Sequence, residues 1–267
     1  MRKKYSRLAI YLDYGRKGSG KSLAQARTAL QLFREYRKIE KKYPSLPARL
    51  LITNVKLSEK IEEREGGTHL YYWDNFRQLR YCPRSGCWRG DKKHAIHDAD
   101  IQHDEVGKDF PAGSWTNTPK WVKQIFSHLR KRGNRYFANT QVYEDIDIAF
   151  RRQIDYANKI VKVFGSGDVT ATRPPIRFVY GLILKTDFDP ELLEWERDPE
   201  KRKLKSTPGM PEVIFIKKKW INAYDTATEI PPYQPDTLEH NELWCEDDMC
   251  PKHGKNKGKP SLRHQSM

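Results

Sequence analysis

The sequence predicts an α/β fold, a mainly parallel sheet flanked by helices, on two observations. An apolar strand runs directly into a glycine-rich loop and then an amphipathic helix, and further short apolar strands recur along the rest of the 267 residues. That length accommodates one large α/β domain with an appendage, or two small domains.

The first strand is RLAIYLDYG, residues 7–15, with Leu8, Ile10 and Leu12 on one face and Ala9 and Tyr11 on the other. Apolar residues on both faces suit a strand of a parallel sheet covered on both sides. From Lys21 to about Lys42, Leu23, Ala26, Leu30, Phe33 and Tyr36 recur at helical spacing, and Pro44 and Pro47 stop the helix. ARLLITNVKLS (48–58) predicts a second strand, whose Thr53-Asn54 end falls on the carboxyl edge of the sheet, where ligands of such folds bind. THLYYWDNFRQL (68–79) reads as a strand end or short helix, and about 81–98 as an insertion loop. ADIQHDEVGKDFP (99–111) supplies a short strand ending in Asp104-Glu105.

Thr118-Pro119 reads as the cap and first turn of a helix reaching Gly133, with Trp121, Val122, Ile125, Phe126 and Leu129 on its apolar face. Lys123, Arg130, Lys131 and Arg132 are left for solvent or a phosphate backbone. NRYFANTQ (134–141), YANKIVKVFG (156–165), IRFVYGLILKTDF (176–188) and EVIFIKKKWINAYDT (212–226) predict further strands, and EDIDIAFRRQID (144–155) a short helix. From Asp225 to Met249 there are eight acids and no Lys or Arg, and from Pro251 to Met267 five Lys/Arg and no acid. Residues 1–227 are therefore expected to form the main domain and 228–267 a polar, irregular tail or docking segment.

The glycine loop carries specific chemistry. Gly15, Gly20, Lys21 and Ser22 fit G-x-x-x-x-G-K-[ST], the Walker A pattern, between the strand and helix that the motif requires. Backbone N–H groups around Gly18, Ser19 and Gly20 make an anion nest, Lys21 reaches the outer phosphates, Ser22 holds Mg²⁺, and Leu23 completes the loop-to-helix junction. Such a loop needs a second carboxylate centre. Asp104 is the candidate for the Mg²⁺ side and Glu105 for activating water, with Asp98 and Asp100 as competitors. Asn139, Thr140 and Gln141 end a neighbouring strand, where a polar side chain can sense the terminal phosphate or position water, the alternative being an ordinary strand-end cap. Arg151 and Arg152 are candidates for an arginine finger reaching a neighbouring subunit, or for surface or nucleic-acid contacts.

The formal charge is +15 and unevenly placed. Between Arg2 and Lys42 stand thirteen Lys/Arg against three acids, and from Phe110 to Tyr143 six Lys/Arg and no acid, a pattern suited to a polyanion, either nucleic acid or an anionic membrane surface, without identifying a particular nucleic acid. The longest apolar run, FVYGLIL (178–184), is too short to span a bilayer, so a location in the cytoplasm is expected, with no transmembrane helix in the chain. Four cysteines do not make a disulfide scaffold. They form two pairs, Cys82/Cys87 and Cys245/Cys250, that would close a structural Zn²⁺ site if insertion and tail meet, against an alternative of reduced cysteines in loops.

The runs GRKGSGKSL, LLITNVKL, HDEVGKDFP and FSHLRKRGNRYFANTQVYEDIDIAFRRQI resemble, in order and spacing over roughly residues 5–165, the zonula occludens toxin (Zot) family of filamentous-phage P-loop ATPases within the FtsK/HerA superfamily. The resemblance implies a RecA-like P-loop NTPase core that uses ATP and Mg²⁺. It further implies a homo-oligomeric ring moving single-stranded viral DNA during virion assembly, packaging or extrusion in the host cytoplasm. It also implies that Gln141 is a phosphate-sensing glutamine and that the basic stretch His128–Arg135 belongs to the motor. Filamentous-phage members usually carry a membrane-spanning helix after the ATPase domain. The lack of one here speaks against membrane-anchored extrusion and fits a soluble packaging or replication-linked ATPase of a small virus better, with a separate membrane or virion-assembly protein as the partner that would recruit it to the inner face of the membrane. A nucleotide kinase and a non-enzymatic DNA-binding module with a vestigial loop are the competing classes, and ATPase stimulation by DNA separates them from a motor.

Overall fold

The computed structural model describes residues 8–74, 76–84, 87–89, 92–165, 181–188, 190 and 211–223. Contacts divide the chain into two compact units, Met1–Tyr72 with His97–Ile230, and Trp73–Ile96 with Pro231–Met267. The predicted tail at 228–267 lies outside the described residues.

In the first unit, strands alternating with helices and turns build one eight-stranded sheet. Its strands are β1 (Ile10–Tyr14), β2 (Leu50–Thr53), β3 (Leu70–Tyr72), β6 (Ala99–His103), β7 (Arg135–Thr140), β8 (Tyr156–Gly165), β9 (Gly181–Phe188) and β10 (Glu212–Ile216). The spatial order is β10-β9-β8-β1-β7-β6-β2-β3. The six strands from β8 to β3 run parallel, and β9 and β10 extend the sheet antiparallel at one edge. This is the P-loop NTPase fold that the sequence predicts, with β1 central and the β1 loop at the carboxyl edge of the parallel strands.

Helix α1 (Lys21–Lys42) lies on one face of the sheet and buries Ala26, Ala29, Leu32, Phe33 and Tyr36 against Tyr11, Leu51 and Phe137. The other helices of this unit are α2 (Glu59–Glu65), α3 (Val106–Asp109), α4 (Lys120–Ser127), α5 (Ile148–Arg151) and α6 (Lys218–Ile221). A second aromatic cluster, Phe110, Phe126, Tyr136 and Phe150, includes a stacked Phe110–Phe150 pair at 5.1 Å and edge-to-face Phe126–Phe150 rings at 4.8 Å.

Two local expectations are revised. The helix expected to reach Gly133 ends at Ser127, and His128 to Asn134 close as successive turns, among them Arg132 N–H to the His128 carbonyl. Thr118 is not its side-chain cap: the hydroxyl donates to the Ser114 carbonyl at 3.2 Å and Pro119 occupies the cap position. Within the basic stretch His128–Arg135, Arg130 and Lys131 remain exposed, as expected of residues left for solvent or a phosphate backbone, and Arg135 is buried. Arg135 is buried on Asp100 and Arg130 pairs with Asp155, while Lys123 lies over the Trp115 ring at 5.7 Å.

In the second unit, a 3-10 helix spans Phe76–Arg80 and a short antiparallel hairpin pairs β4 (Trp88–Arg89) with β5 (Lys92–Lys93), so the stretch predicted as an irregular insertion contains ordered pairing. Cys82 N–H donates to the His94 carbonyl at 2.8 Å and His94 N–H to the Cys87 carbonyl at 3.0 Å, which extends the hairpin. Among the described residues of this unit, Leu79, Cys82, Ile96 and Trp73 are buried, and the Trp73 ring meets Phe76 edge-on at 5.7 Å.

Candidate nucleotide-binding site

The loop between β1 and α1 is shaped by two glycines. A Cβ on Gly15 would stand 2.3 Å from the Ile160 carbonyl oxygen of β8, so only glycine lets the loop leave β1 this close to its neighbour. Gly20, at φ 92°, turns the chain in the left-handed region into the first turn of α1. Gly15 N–H donates to the Thr140 carbonyl at the end of β7, and Ser19 N–H to the Arg16 carbonyl. Leu23, half-buried, packs on the Ile160/Ile183 cluster and seats the helix start.

Lys21 is buried, and its ammonium donates to the Gly15 carbonyl at 2.7 Å and the Arg16 carbonyl at 3.2 Å, inside the loop. Burial lowers its pKa, while the nearby Asp104 and Glu105 carboxylates act in the opposite direction. Ser19 Oγ is buried with no hydrogen-bond partner among the described residues. A buried donor left open in a glycine loop, beside a buried lysine and at the positive end of a 22-residue helix, fits a phosphate oxygen.

Across the loop, Ser22 Oγ donates to Asp104 Oδ2 at 3.4 Å. A hydroxyl and a carboxylate at this spacing are the donor set of an octahedral Mg²⁺ that keeps several waters, so the residues fit that metal. Asp104 follows the last residue of β6. Asn54, at the end of β2, pins it in both directions, accepting from Asp104 N–H at 2.7 Å and donating to the Asp104 carbonyl at 3.2 Å. Burial raises the Asp104 pKa, and the adjacent Glu105 charge adds to the rise.

Glu105 sits at φ 57°, an uncommon conformation for a side chain other than Gly or Asn, and is held there because its N–H donates to Asn139 Oδ1 at 2.9 Å. Gln141 Nε2 donates to Glu105 Oε1 at 3.2 Å, and Lys108 pairs with the other oxygen. The Lys108 hydrogen bond is the main reason that the Glu105 pKa lies below the ordinary value. Lys21, Ser22, Asp104, Glu105 and Gln141 are thus brought together from three strand ends. Asn54, Lys108 and Asn139 complete the arrangement. Asn54 and Asn139 stand at strand ends that the sequence marks as the ligand edge, whereas nothing in the sequence singles out Lys108.

Beneath the acidic pair, His103 is fully buried between the Tyr136 hydroxyl at 2.6 Å and Asp109 Oδ2 at 2.7 Å. This places the first residue of the turn rigidly. The competitors for the carboxylate role stand elsewhere. Asp100 is near the start of β6, buried between Arg49 and Arg135, and Asp98 Oδ2 bonds the His97 ring at 3.0 Å. Arg151 faces inward, 3 % exposed, with its guanidinium 5.3 Å over the Tyr143 ring, so in this conformation it is not a surface finger; Arg152 is exposed. Cys82 and Cys87 are free thiols in the second unit, while Cys245 and Cys250 lie outside the described residues. Among the described residues no helix is long and apolar enough to cross a membrane.

Comparison with known proteins places this geometry in context. Among solved structures, the fold is similar to the N-terminal domain of zonular occludens toxin from Neisseria meningitidis, at 18 % identity over 81 % of this chain and 98 % of that one, with a TM-score of 0.40. It is also similar to B204, the DNA-packaging ATPase from Sulfolobus Turreted Icosahedral Virus, at 14 % identity over 77 % and 98 % of the two chains, with a TM-score of 0.40. A third similarity is to the flagellar accessory protein FlaH from Methanocaldococcus jannaschii, at 10 % identity over 67 % and 76 % of the chains, with a TM-score of 0.35. No curated protein sequence matches. The model of the family described as zonular occludens toxin (Zot) matches residues 9–168, a span that runs from β1 past the end of β8 and contains the whole site, and the chain belongs to that family.

Proposed function

We propose that this protein is an ATP-hydrolysing motor that moves viral DNA, single-stranded in form, during virion assembly, packaging or extrusion, working as a homo-oligomeric ring. One observation carries the reading: the Ser22–Asp104 approach at 3.4 Å, with Glu105 and Gln141 bonded to each other beside it, which is the arrangement that phosphoryl transfer to water requires. The loop N–H groups and Lys21 hold the phosphates, and Ser22 and Asp104 are the residues that would hold Mg²⁺. Bound there, the ion would neutralise charge on the phosphate oxygens. Glu105 orients water in line with the terminal phosphorus and accepts its proton as the phosphorus–oxygen bond to the diphosphate breaks. Gln141 senses the terminal phosphate, and Arg152 is the exposed candidate for reaching a neighbouring subunit. The clustered cations of a +15 chain support DNA as the track. A structural Zn²⁺ held by Cys82, Cys87, Cys245 and Cys250 belongs to the same proposal, and metal analysis of the purified protein reads it directly.

The test is the rate of ATP hydrolysis with and without single-stranded DNA, alongside solution mass with ATP bound. Stimulation by DNA and a ring-sized mass are expected, with Lys21→Ala inactive and Glu105→Gln binding ATP without turning it over. A rate indifferent to DNA in a strict monomer would overturn the motor, and full activity in both variants would overturn the site.

A further inference from the structure

Away from the nucleotide loop, helices α1, α2 and α6 enclose a cavity of about 490 Å³, within the ~300–1,000 Å³ range of ligand-binding clefts. Five cations stand around it: Arg34 and Arg37 one turn apart on α1, Lys60 and Arg64 one turn apart on α2, and Lys219 on α6. Its floor is the apolar core, including Phe33 and Ile61. The wall is a fixed one, because Ser58 N–H, at the start of α2, donates to the Ala223 carbonyl just beyond α6 at 3.1 Å.

Among the described residues one carboxylate answers this charge. Glu65, 1 % exposed, bonds Arg64 Nε at 2.8 Å and also pairs with Arg37, whereas no ion pair of Arg34, Lys60 or Lys219 is found among the described residues. The cations also repel one another. Burial lowers the Arg64 pKa and the charges of Arg37 and Arg34 lower it further; burial, Arg34 and Lys217 do the same to Lys219. A fold retains such a cluster at a cost in self-repulsion, which a bound polyanion removes.

The ligand class follows from how the charges are presented. All five cations are exposed on long side chains around an open mouth, a geometry that tracks successive phosphates of a chain rather than enclosing one small anion. On the other basic stretch, His128–Arg135, the charges of Arg135, buried on Asp100, and of Arg130, exposed but paired with Asp155, are already answered by carboxylates. We propose that the α1/α2/α6 cleft is a binding site for the phosphodiester backbone of single-stranded DNA, with Arg34, Lys60 and Lys219 as its principal contacts. The inference rests on the DNA-motor reading for its ligand and on the cavity for its place.

The test is fluorescence anisotropy of a labelled oligothymidylate against the full chain across a salt series. The variant Arg34→Ala/Lys60→Ala/Lys219→Ala is compared with Lys38→Ala/Lys41→Ala/Lys42→Ala, which removes the same charge from the last turns of α1, outside the lining of the cleft. The cleft variant is expected to bind at least ~10-fold more weakly. Its slope of log affinity against log salt should fall by about 2, three cations at about 0.7 each, with DNA-independent ATPase unchanged. The control variant should bind close to the wild type. If the cleft variant matches the wild type, or both variants weaken binding equally, the site is wrong while the motor reading stands. If the wild type holds no DNA, both fall.

Discussion

Ser22 and Asp104, 82 positions apart in the chain, meet at 3.4 Å across the mouth of the phosphate loop. The contact is a compromise between folding and function. Burial raises the pKa of this carboxylate, so the folded chain binds its proton more tightly than the unfolded one: the stability this contributes is complete below the unfolded carboxyl value and is lost as pH rises through the raised folded value and Asp104 ionises. Asp104→Asn removes that cost while keeping a group that accepts from Ser22. The variant is expected to melt a few degrees higher than the wild type at neutral pH and to lose Mg²⁺-dependent turnover. Thermal melts at pH 7 without nucleotide, paired with ATPase assays, check both halves; a lower melting temperature would contradict the electrostatic account.

Lys108 sets the availability of Glu105. Its ion pair holds the carboxylate and is the chief cause of its lowered pKa, and a less basic glutamate is a poorer acceptor of the water proton. Lys108 is exposed and its ion pair with Glu105 is a surface one, so Lys108→Met should cost little stability. Basal ATPase is expected to rise several-fold, because Glu105 is freed and its pKa returns toward that of an ordinary glutamate. Single-turnover hydrolysis reads the effect apart from product release, and a slower variant would assign Lys108 to substrate binding instead.

These two residues mark what could be read in the sequence. The strand–loop–helix unit is local, so the spacing of Gly15, Gly20, Lys21 and Ser22 defines it without any tertiary knowledge, and β1, α1 and the parallel strands follow from apolar periodicity. The polar strand ADIQH concealed its burial, because Asp100, Gln102 and His103 point to partners far along the chain, Arg135, Thr53 and Tyr136 among them. Lys108 was invisible for a similar reason: one lysine among many acquires its role only when the left-handed turn at Glu105 folds it back. Helix α2 carries Ile61 as its single buried apolar residue, too little for a periodic signal. Helix α4 stops early because Leu129 reaches the core by a turn as readily as by a helix.

Gly15 permits the loop to pass β8, and the obstacle is backbone rather than a movable side chain. In Gly15→Ala the added methyl would stand 2.3 Å from the Ile160 carbonyl oxygen, so the loop or β8 must shift. Overpacking of this kind costs typically ~1–3 kcal/mol, and a displacement of about 1 Å at a reacting centre can cost ~100-fold in rate. Nucleotide affinity, measured by titration with a fluorescent ATP analogue, is expected to fall at least ~10-fold while the chain remains folded. Wild-type affinity would mean that the loop rearranges on binding.

Asp100 is the keystone of the other end of the sheet. It is fully buried and accepts from Arg135 Nε at 2.6 Å and Nη2 at 2.7 Å, from Arg49 Nη2 at 2.9 Å and from the Tyr36 hydroxyl at 2.6 Å. Burial alone would raise its pKa, but the hydrogen bonds of Arg135 and the charge of Arg49 outweigh it and the net shift is downward. With a lowered folded-state pKa, its contribution to stability is complete above the unfolded carboxyl value of about 3.9 and is lost as pH falls through the folded value. Asp100→Ala strands two guanidinium groups, one of them buried, and is expected to destabilise the fold by ~3–5 kcal/mol, read by urea denaturation at pH 7. The variant should also lose less stability than the wild type between pH 4 and more acidic conditions, since the group that titrates there is gone; parallel acid-denaturation curves would refute the assignment of Asp100 as that group.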